Sequence, residues 1–464
     1  MKLKHNDIEI LKDNPFKNCK LERERYAHVL TSIIGNFAEG FVMAINNEWG
    51  TGKTTFIKMW KQSLENDGFK TLYFNAWEND YEIEPMIALL GELKTLLGKD
   101  NETFKSLLKK GTVFTKHLLP TVAKAFAEKH IPGITEVVEK TVSAATEIFQ
   151  NEVNNYTEKK KGLIDFKKQL TKLIDETKHK KPIIFFIDEL DRCKPDYAVE
   201  VLEKVKHFFS VNGIVFVLSI DKKQLECAIQ GYYGSITINA SEYLRRFIDI
   251  EYQLPNPDCK KTCIYYYNYY QFIDFFNDKK RIEFSAFKND EELFIEFSTR
   301  LFENKNITLR QQEKIFAFAR MVLTTITTTI HVFPALFFFL IYLRDLYFDI
   351  YDNIRFKRYT IQKLVDDIEQ LLFPKEVISH AVVYTEAELI VFYHKYLYGN
   401  DQTMSPLLID GNNVREISFK SIITSSRRYD LGQNIGHIYS ERKYIDLDLY
   451  YLISKIDLLG LLYT

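Results

Sequence analysis

Cysteine is scarce in this chain of 464 residues, and Cys19, Cys193, Cys227, Cys259 and Cys263 form an odd, scattered set. That excludes a disulfide-stapled scaffold and points to free thiols in a reducing compartment, with a cytoplasmic location as the expectation. Cys259 and Cys263 have no second Cys/His pair at metal spacing, and the ten histidines are scattered, so no zinc site is predicted. A net charge of -1 removes any global pull toward nucleic acid. The lysine-rich stretch from Lys159 to Lys181 is interleaved with Asp165, Asp175 and Glu176, the pattern of a solvated helix surface. No internal repeat or low-complexity tract is present, and the first residues lack the apolar run of a signal peptide.

Long uncharged runs are nearly absent as well. Residues 85–97 read as a helix through Ile87, Leu90, Leu93 and Leu97, and residues 134–149 as another through Ile134, Val138, Val142 and Phe149. Charges such as Lys124, Glu128, Glu136 and Lys140 interrupt every candidate span in this insertion, which makes its helices amphipathic. One window, Met321 to Leu343, is long enough to cross a bilayer. Threonines fill its first half, and His331 and Pro334 stand in its middle, so it reads as two buried helices joined near the proline, with a membrane span as the competing reading.

What is present is a phosphate-binding pattern. Asn47-Glu48-Trp49-Gly50-Thr51-Gly52-Lys53-Thr54-Thr55 follows the apolar run Phe41 to Ile45 and opens a helical pattern through Phe56, Ile57, Trp60 and Leu64. Small residues let backbone N–H groups face phosphate, the Lys53 ammonium neutralises it, the Thr54 hydroxyl suits Mg²⁺, and the helix N-terminus adds its dipole. Asn47 stands where the first glycine of the pattern belongs. Asparagine tolerates positive φ, so it is expected to make the turn in that conformation.

A metal-holding acid is the second requirement. Ile183-Ile184-Phe185-Phe186-Ile187 reads as a strand buried on both faces, ending in Asp188-Glu189-Leu190-Asp191-Arg192. Acids at that end face the crevice where parallel sheets bind ligands, so Asp188 is assigned to the metal and Glu189 to the attacking water. The alternative is a cap for the next helix, but Asp196 after Pro195 is better placed to start it, leaving the pair free for chemistry. Thr71 to Asn75 and Gly213 to Asp221 add two more strands with polar ends. Ser219 or Asp221 is either a sensor of the γ-phosphate or a simple turn former. Phe247 to Leu254 alternates and stops at Pro255, as a half-exposed last strand would.

Together these residues resemble the KAP family of P-loop NTPases. The resemblance is carried by Trp49 to Thr55, Phe74-Asn75-Ala76-Trp77-Glu78, Ile187 to Cys193 and Glu242-Tyr243-Leu244-Arg245-Arg246-Phe247, with Asp13-Asn14-Pro15 and Arg23 at the start. It covers about the first 255 residues and weakens through residue 345. It implies an α/β P-loop NTPase with a five-stranded parallel sheet, one strand lying between the loop strand and the Asp188 strand. It also implies ATP hydrolysis by the acid pair, Arg246 or Arg245 near phosphates or a subunit boundary, and Arg310 as a lid arginine. For these arginines a solvated helix face or ion pair is the competing reading. Family members usually carry two aspartates where this chain has Asp188-Glu189, which favours a catalytic glutamate. In bacteria the family includes phage-exclusion and other defence proteins, so the resemblance implies a role in phage defence.

The expected organisation is a core over 1–255 with a helical insertion at about 85–180, a helical lid over 256–345 and a mostly helical C-terminal domain over 346–464. In the last of these, Ile361 to Leu371 shows helical spacing, and Thr385 to Glu388 has the form of a capping box. Tyr393, Tyr396, Tyr398, Tyr450 and Tyr451 are candidates for a contact surface or for helix packing. The resulting expectation is a Mg²⁺-dependent ATPase, with a homo-oligomer or protein partner engaged through the lid and C-terminal domain. Two alternatives stand beside it, a nucleotide-binding switch or scaffold with little turnover, and a membrane-tethered interaction protein. The guanine-selective Asn-Lys-x-Asp pattern is not evident, which weakly favours ATP.

Overall fold

A computed structural model describes residues 8–37, 39–81, 85–95, 106–107, 161, 164–175, 181–209, 211–303, 307–373, 379–399, 406–410, 415–423, 430–440 and 449–458. The expected helix at 134–149 and most of the lysine-rich stretch lie outside them. The chain divides into one compact unit ending at Asn256 and another beginning at Pro257.

The first unit is built on five parallel strands, β1 (Val42–Asn46), β2 (Lys70–Asn75), β3 (Ile183–Asp188), β4 (Ile214–Ile220) and β5 (Ile250–Gln253), in the order β2-β3-β4-β1-β5. β4 therefore lies between the loop strand and the Asp188 strand, as expected. β3 and β4 are buried along their whole length because their alternate residues feed two cores. Ile183, Phe185, Ile187, Phe216 and Leu218 face one core with Val201 and Leu225, while Ile184, Phe186, Val215 and Val217 face the other. Helices α1 (Glu24–Asn36) and α2 (Lys53–Asn66) supply the second core through Leu30, Ile34, Phe56 and Trp60. The Trp60 ring meets Phe186 edge-on at 5.5 Å, and its indole N–H donates to Thr31. Helix α3 (Pro85–Thr95), a helix over 164–175 and helix α4 (Pro195–Phe209) cover the first core. Full burial of each large apolar side chain contributes roughly 1.5–3 kcal/mol against the entropy of ordering it.

β5 is shorter than the alternating pattern predicted. Helices α5 (Lys222–Tyr233) and α6 (Ala240–Leu244) precede it, and the amides of Phe247 and Ile248 both donate to Leu244 O. Those residues belong to a turn. Pairing starts only after Asp249, whose N–H and carboxylate both bond Val42 at the start of β1.

The second unit is mostly helical, with one short antiparallel pair, Leu408–Asp410 with Arg415–Ile417. Its main core, among the described residues, draws on side chains from Cys263 to Ile456, on both sides of residues 345–346. At the centre is helix α7 (Pro334–Leu346), buried from Pro334 to Leu343. Of the window expected to form two helices joined near the proline, only the two ends are helical, and residues 324–333 between them are turns and irregular chain. A helix ends at Leu323, and α7 starts on Pro334, whose missing N–H costs nothing at a first helical position. Among the described residues no helix is long and apolar enough to cross a membrane.

Two local expectations change. Helix α8 (His380–Tyr398) is capped by Ser379, and the Thr385 hydroxyl donates back to Ala381 O from inside it, so Thr385 to Glu388 is not a start signal. Tyr393 is fully buried and exchanges hydrogen bonds with the Tyr359 backbone, whereas Tyr450 is exposed. The tyrosines therefore do not form one common exposed surface.

Candidate functional site

β1 ends at Asn46, and the chain turns through residues 47–52 into α2. Gly50 and Gly52 take φ of 77° and 80°, left-handed conformations that cost side chains about 1 kcal/mol or more and glycine nothing. Asn47 does not take positive φ. It works by hydrogen bonding instead: its amide Nδ2 donates to Leu254 O at 2.7 Å, and its Oδ1 accepts from the Glu48 amide at 2.8 Å. The Thr51 hydroxyl closes the turn on Glu48 O, and Glu48 itself reaches Lys223 at the surface. From beneath, the buried Arg23 guanidinium donates to Thr51 O at 2.7 Å and Gly52 O at 3.0 Å.

Lys53 opens α2, with Thr54 and Thr55 half-buried beside it. Its Nζ donates to Asn47 O at 2.6 Å and Glu48 O at 3.0 Å. Burial lowers its pKa, while Asp191, Asp221 and Asp188 act to keep it charged.

The acid strand arrives two places away. Asp188 ends β3 in register with Asn75 on β2 and Ser219 on β4, so three polar side chains line one sheet edge. One Asp188 oxygen accepts from Tyr73 O–H at 2.9 Å, and the other from the Glu189 amide at 3.0 Å. A carboxylate has about four lone-pair sites, so two bonds leave it able to take a cation. The Thr54 hydroxyl and Asp188 carboxylate are the hard oxygen donors that Mg²⁺ prefers.

Glu189 is not free in the way the sequence suggested. It sits at φ 60°, a strained conformation outside glycine, and its carboxylate is shared between Arg192 at 2.6 Å and Asn75 Nδ2 at 3.2 Å. Asn75 is held for this contact because its Oδ1 accepts from the Trp77 and Glu78 amides. Burial raises the Glu189 pKa, with the Arg192 cation opposing and Asp188 adding to the rise. Asp191 bonds the Trp49 indole N–H, joining the acid turn to the phosphate loop, and burial raises its pKa too.

Ser219, in register with Asp188, is buried, and its Oγ has no hydrogen-bond partner among the described residues. Asp221 caps α5 by accepting from Gln224 N, which is the turn-former reading. Arg246 is exposed in the turn before β5. Because β5 runs parallel to β1, that turn lies at the far edge of the sheet from Lys53, so Arg246 does not join the site within this chain. Arg245 pairs at the surface with Glu242. Arg310 is exposed in the first turn of helix Leu309–Leu323, in the other unit. Reasoning from the sequence missed Tyr73 and the bonds made by Arg23, Asn75 and Arg192. Only the neighbourhood of Arg23 and Asn75 to recognisable motifs could have flagged them; Tyr73 is indistinguishable from a sheet residue.

This edge, with its glycine turns, buried lysine and strand-end acids, coincides with a match to the KAP family P-loop domain over residues 23–264, more than half of the chain. The chain belongs to the KAP family of P-loop NTPases. Its KAP domain thus spans the loop and the acid strand and ends within the helix Cys259–Tyr269 of the second unit. An uncharacterized protein of Methanocaldococcus jannaschii is 29% identical over 176 residues, which cover 32% of this chain and 89% of that protein. The Aeropyrum pernix ORC2 protein, solved as ADPNP-ADP complexes, superposes at a TM-score of 0.31 with 13% identity, over 91% of this chain and 95% of that one.

Proposed function

We propose that this KAP protein is a Mg²⁺-dependent ATPase whose hydrolysis cycle drives a conformational or assembly change involving its C-terminal unit. The observation that carries the reading is the convergence of Lys53, Asp188, Glu189 and Ser219 on one sheet edge beside the loop. In it, the N–H groups of residues 49–54 and Lys53 hold the β- and γ-phosphates, with Ser219 donating its hydroxyl. Thr54 and Asp188 hold the metal, which supplies neutralisation of developing charge. Tyr73 keeps Asp188 oriented. Glu189 orients and polarises the attacking water once it exchanges its Arg192 and Asn75 contacts for that water.

Arg246, exposed and remote from its own loop, acts in this scheme from a second copy of the chain, making turnover rise with assembly. Arg310 serves as the lid arginine. Phage defence is the biological role that family membership favours, and plating efficiency on cells with and without the Lys53→Ala gene tests it. A second reading, a nucleotide-held switch with little turnover, draws support from the ion pair that occupies Glu189.

Multiple-turnover phosphate release with ATP and with GTP separates the two. The ATPase reading expects Mg²⁺-dependent release that Lys53→Ala abolishes by losing nucleotide binding. Glu189→Gln is expected to bind ATP and turn over about 10²–10⁴-fold more slowly. Normal hydrolysis by Glu189→Gln would show the base to be elsewhere, and wild-type release no faster than Lys53→Ala would leave the switch.

A further inference from the structure

Asn47 touches three parts of the first unit at once. Its backbone N–H donates to Ile220 O at the end of β4, its carbonyl accepts from Lys53 Nζ, and its side chain holds Leu254 O at 2.7 Å. Leu254 is buried, and its own N–H donates to Asn46 O, so the first residue past β5 is bonded to both residues at the mouth of the loop. Beyond it come Pro255, Asn256 and Pro257, and Pro257 begins the second unit. Proline fixes its own φ and confines the residue before it to extended conformations. Leu254 and Asn256 both precede proline, so a displacement at Leu254 is passed along the chain instead of being absorbed by it.

A glycine at position 47 would keep the two backbone bonds and lose the one to Leu254 O. We infer that Asn47 is a positioning residue that transmits the state of the phosphate loop to the 254–257 linker, through the hydrogen bond from its amide to Leu254 O. The inference rests on the nucleotide-binding reading given above. The route is short. Lys53 Nζ now bonds Asn47 O, and an ammonium drawn onto phosphate oxygens, which make stronger charge-assisted bonds, gives up that carbonyl. Freed from Lys53, the Asn47 backbone shifts, and the side chain carries the shift to Leu254.

The test is backbone hydrogen exchange of the intact chain, with and without saturating Mg²⁺ and adenylyl-imidodiphosphate, saturation being measured separately by direct binding. In the wild type, the peptide covering residues 250–258 should change its exchange by at least twofold on binding. Asn47→Gly should lose that change at saturation while keeping the nucleotide-induced protection of residues 48–56. Asn47→Asp, which retains the acceptor for the Glu48 amide and loses the donor to Leu254, should behave like Asn47→Gly. Exchange of β3 and β4 amides reports whether each variant is folded, and one that is not is replaced by Asn47→Ser, which has no amide to reach Leu254. A wild-type 250–258 peptide that stays unchanged at proven saturation overturns the inference and leaves the nucleotide-binding reading standing. A response retained by Asn47→Asp overturns the strap. Absence of nucleotide binding by the wild type removes both readings.

Discussion

The two units bury polar groups in opposite ways. In the first, Asn47, Lys53, Asn75, Asp188, Asp191, Ser219 and Asp221 are nearly all gathered at the C-terminal ends of parallel strands. In the second, Arg281 and Glu369 are separate knots that each tie one segment. Arg281 is fully buried, pairs with Asp290, donates to Thr328 O and Ile330 O, and lies against the rings of Phe275 and Phe287. Glu369 accepts from the Ser421 hydroxyl and the Ile422 amide, pinning residues 421–423. Clustering puts incompletely satisfied groups where a ligand can complete them; dispersal uses polar groups to fix backbone within an aromatic core. Changes in the first unit should therefore cost function more than stability, and changes in the second the reverse.

The strongest challenge to that contrast is Arg281→Met. It leaves the Asp290 carboxylate and two carbonyls without their cation, so a loss of about 3–5 kcal/mol is expected in urea unfolding. Nucleotide affinity, measured by titration under native conditions, should stay within about twofold.

Glu386 gives a smaller and pH-dependent effect. Both its oxygens are buried without hydrogen-bond partners among the described residues, and burial, with the charge of Glu369 adding to it, raises its pKa well above the usual carboxylate value. The folded state thus holds its proton at pH values where the unfolded chain has released it. Any stability difference from this group is absent below the ordinary glutamate range and grows against the fold as pH rises toward the raised value. Glu386→Gln removes the ionisable group, so it should raise Tm by roughly 2–4 °C at neutral pH, with the advantage shrinking toward pH 4. Equal melting of the two proteins across that range would show Glu386 to be ionised in the fold.

In the first unit the corresponding pH effect should appear in turnover. A base must be ionised, so the raised Glu189 pKa places the acid limb of kcat above the ordinary glutamate range. Arg192→Gln removes the cation that favours the carboxylate, and the limb should move to still higher pH by about one unit or less. A limb that stays in place would separate Arg192 from the base. Tyr73→Phe, which deletes one of two bonds to Asp188, should weaken Mg²⁺-dependent binding by about 3–10-fold, consistent with roughly 1 kcal/mol for a single hydrogen bond.

The fold was legible where burial is uniform. β3 and β4 are continuous apolar runs because both faces are covered, and Phe56, Ile57, Trp60 and Leu64 show the helical period of α2 because one face is. β5 misled because an exposed edge strand and the turn before it have the same alternating composition, and pairing with Val42 alone decides where the strand begins. At the site, the sequence put Lys53 and Thr54 at a helix start and Asp188 and Glu189 at a strand end, since glycine turns and strand ends have local causes. Partners did not have local causes. Tyr73 meets Asp188 across 115 residues, and Asn75 meets Glu189 across 114.

By itself, the order of residues determined that a buried strand, a glycine turn, a lysine and a helix follow one another, and that an acid pair ends another buried strand. These are properties of local conformation and burial period, which the chain carries wherever it goes. Tertiary structure alone decided that Asn47 is a strap to Leu254 instead of a left-handed turn residue, that Glu189 is held by Asn75 from the next strand, and that Arg246 lies at the far edge of the sheet from Lys53. Each depends on which strands become neighbours, and strand order is set by packing two cores across one sheet.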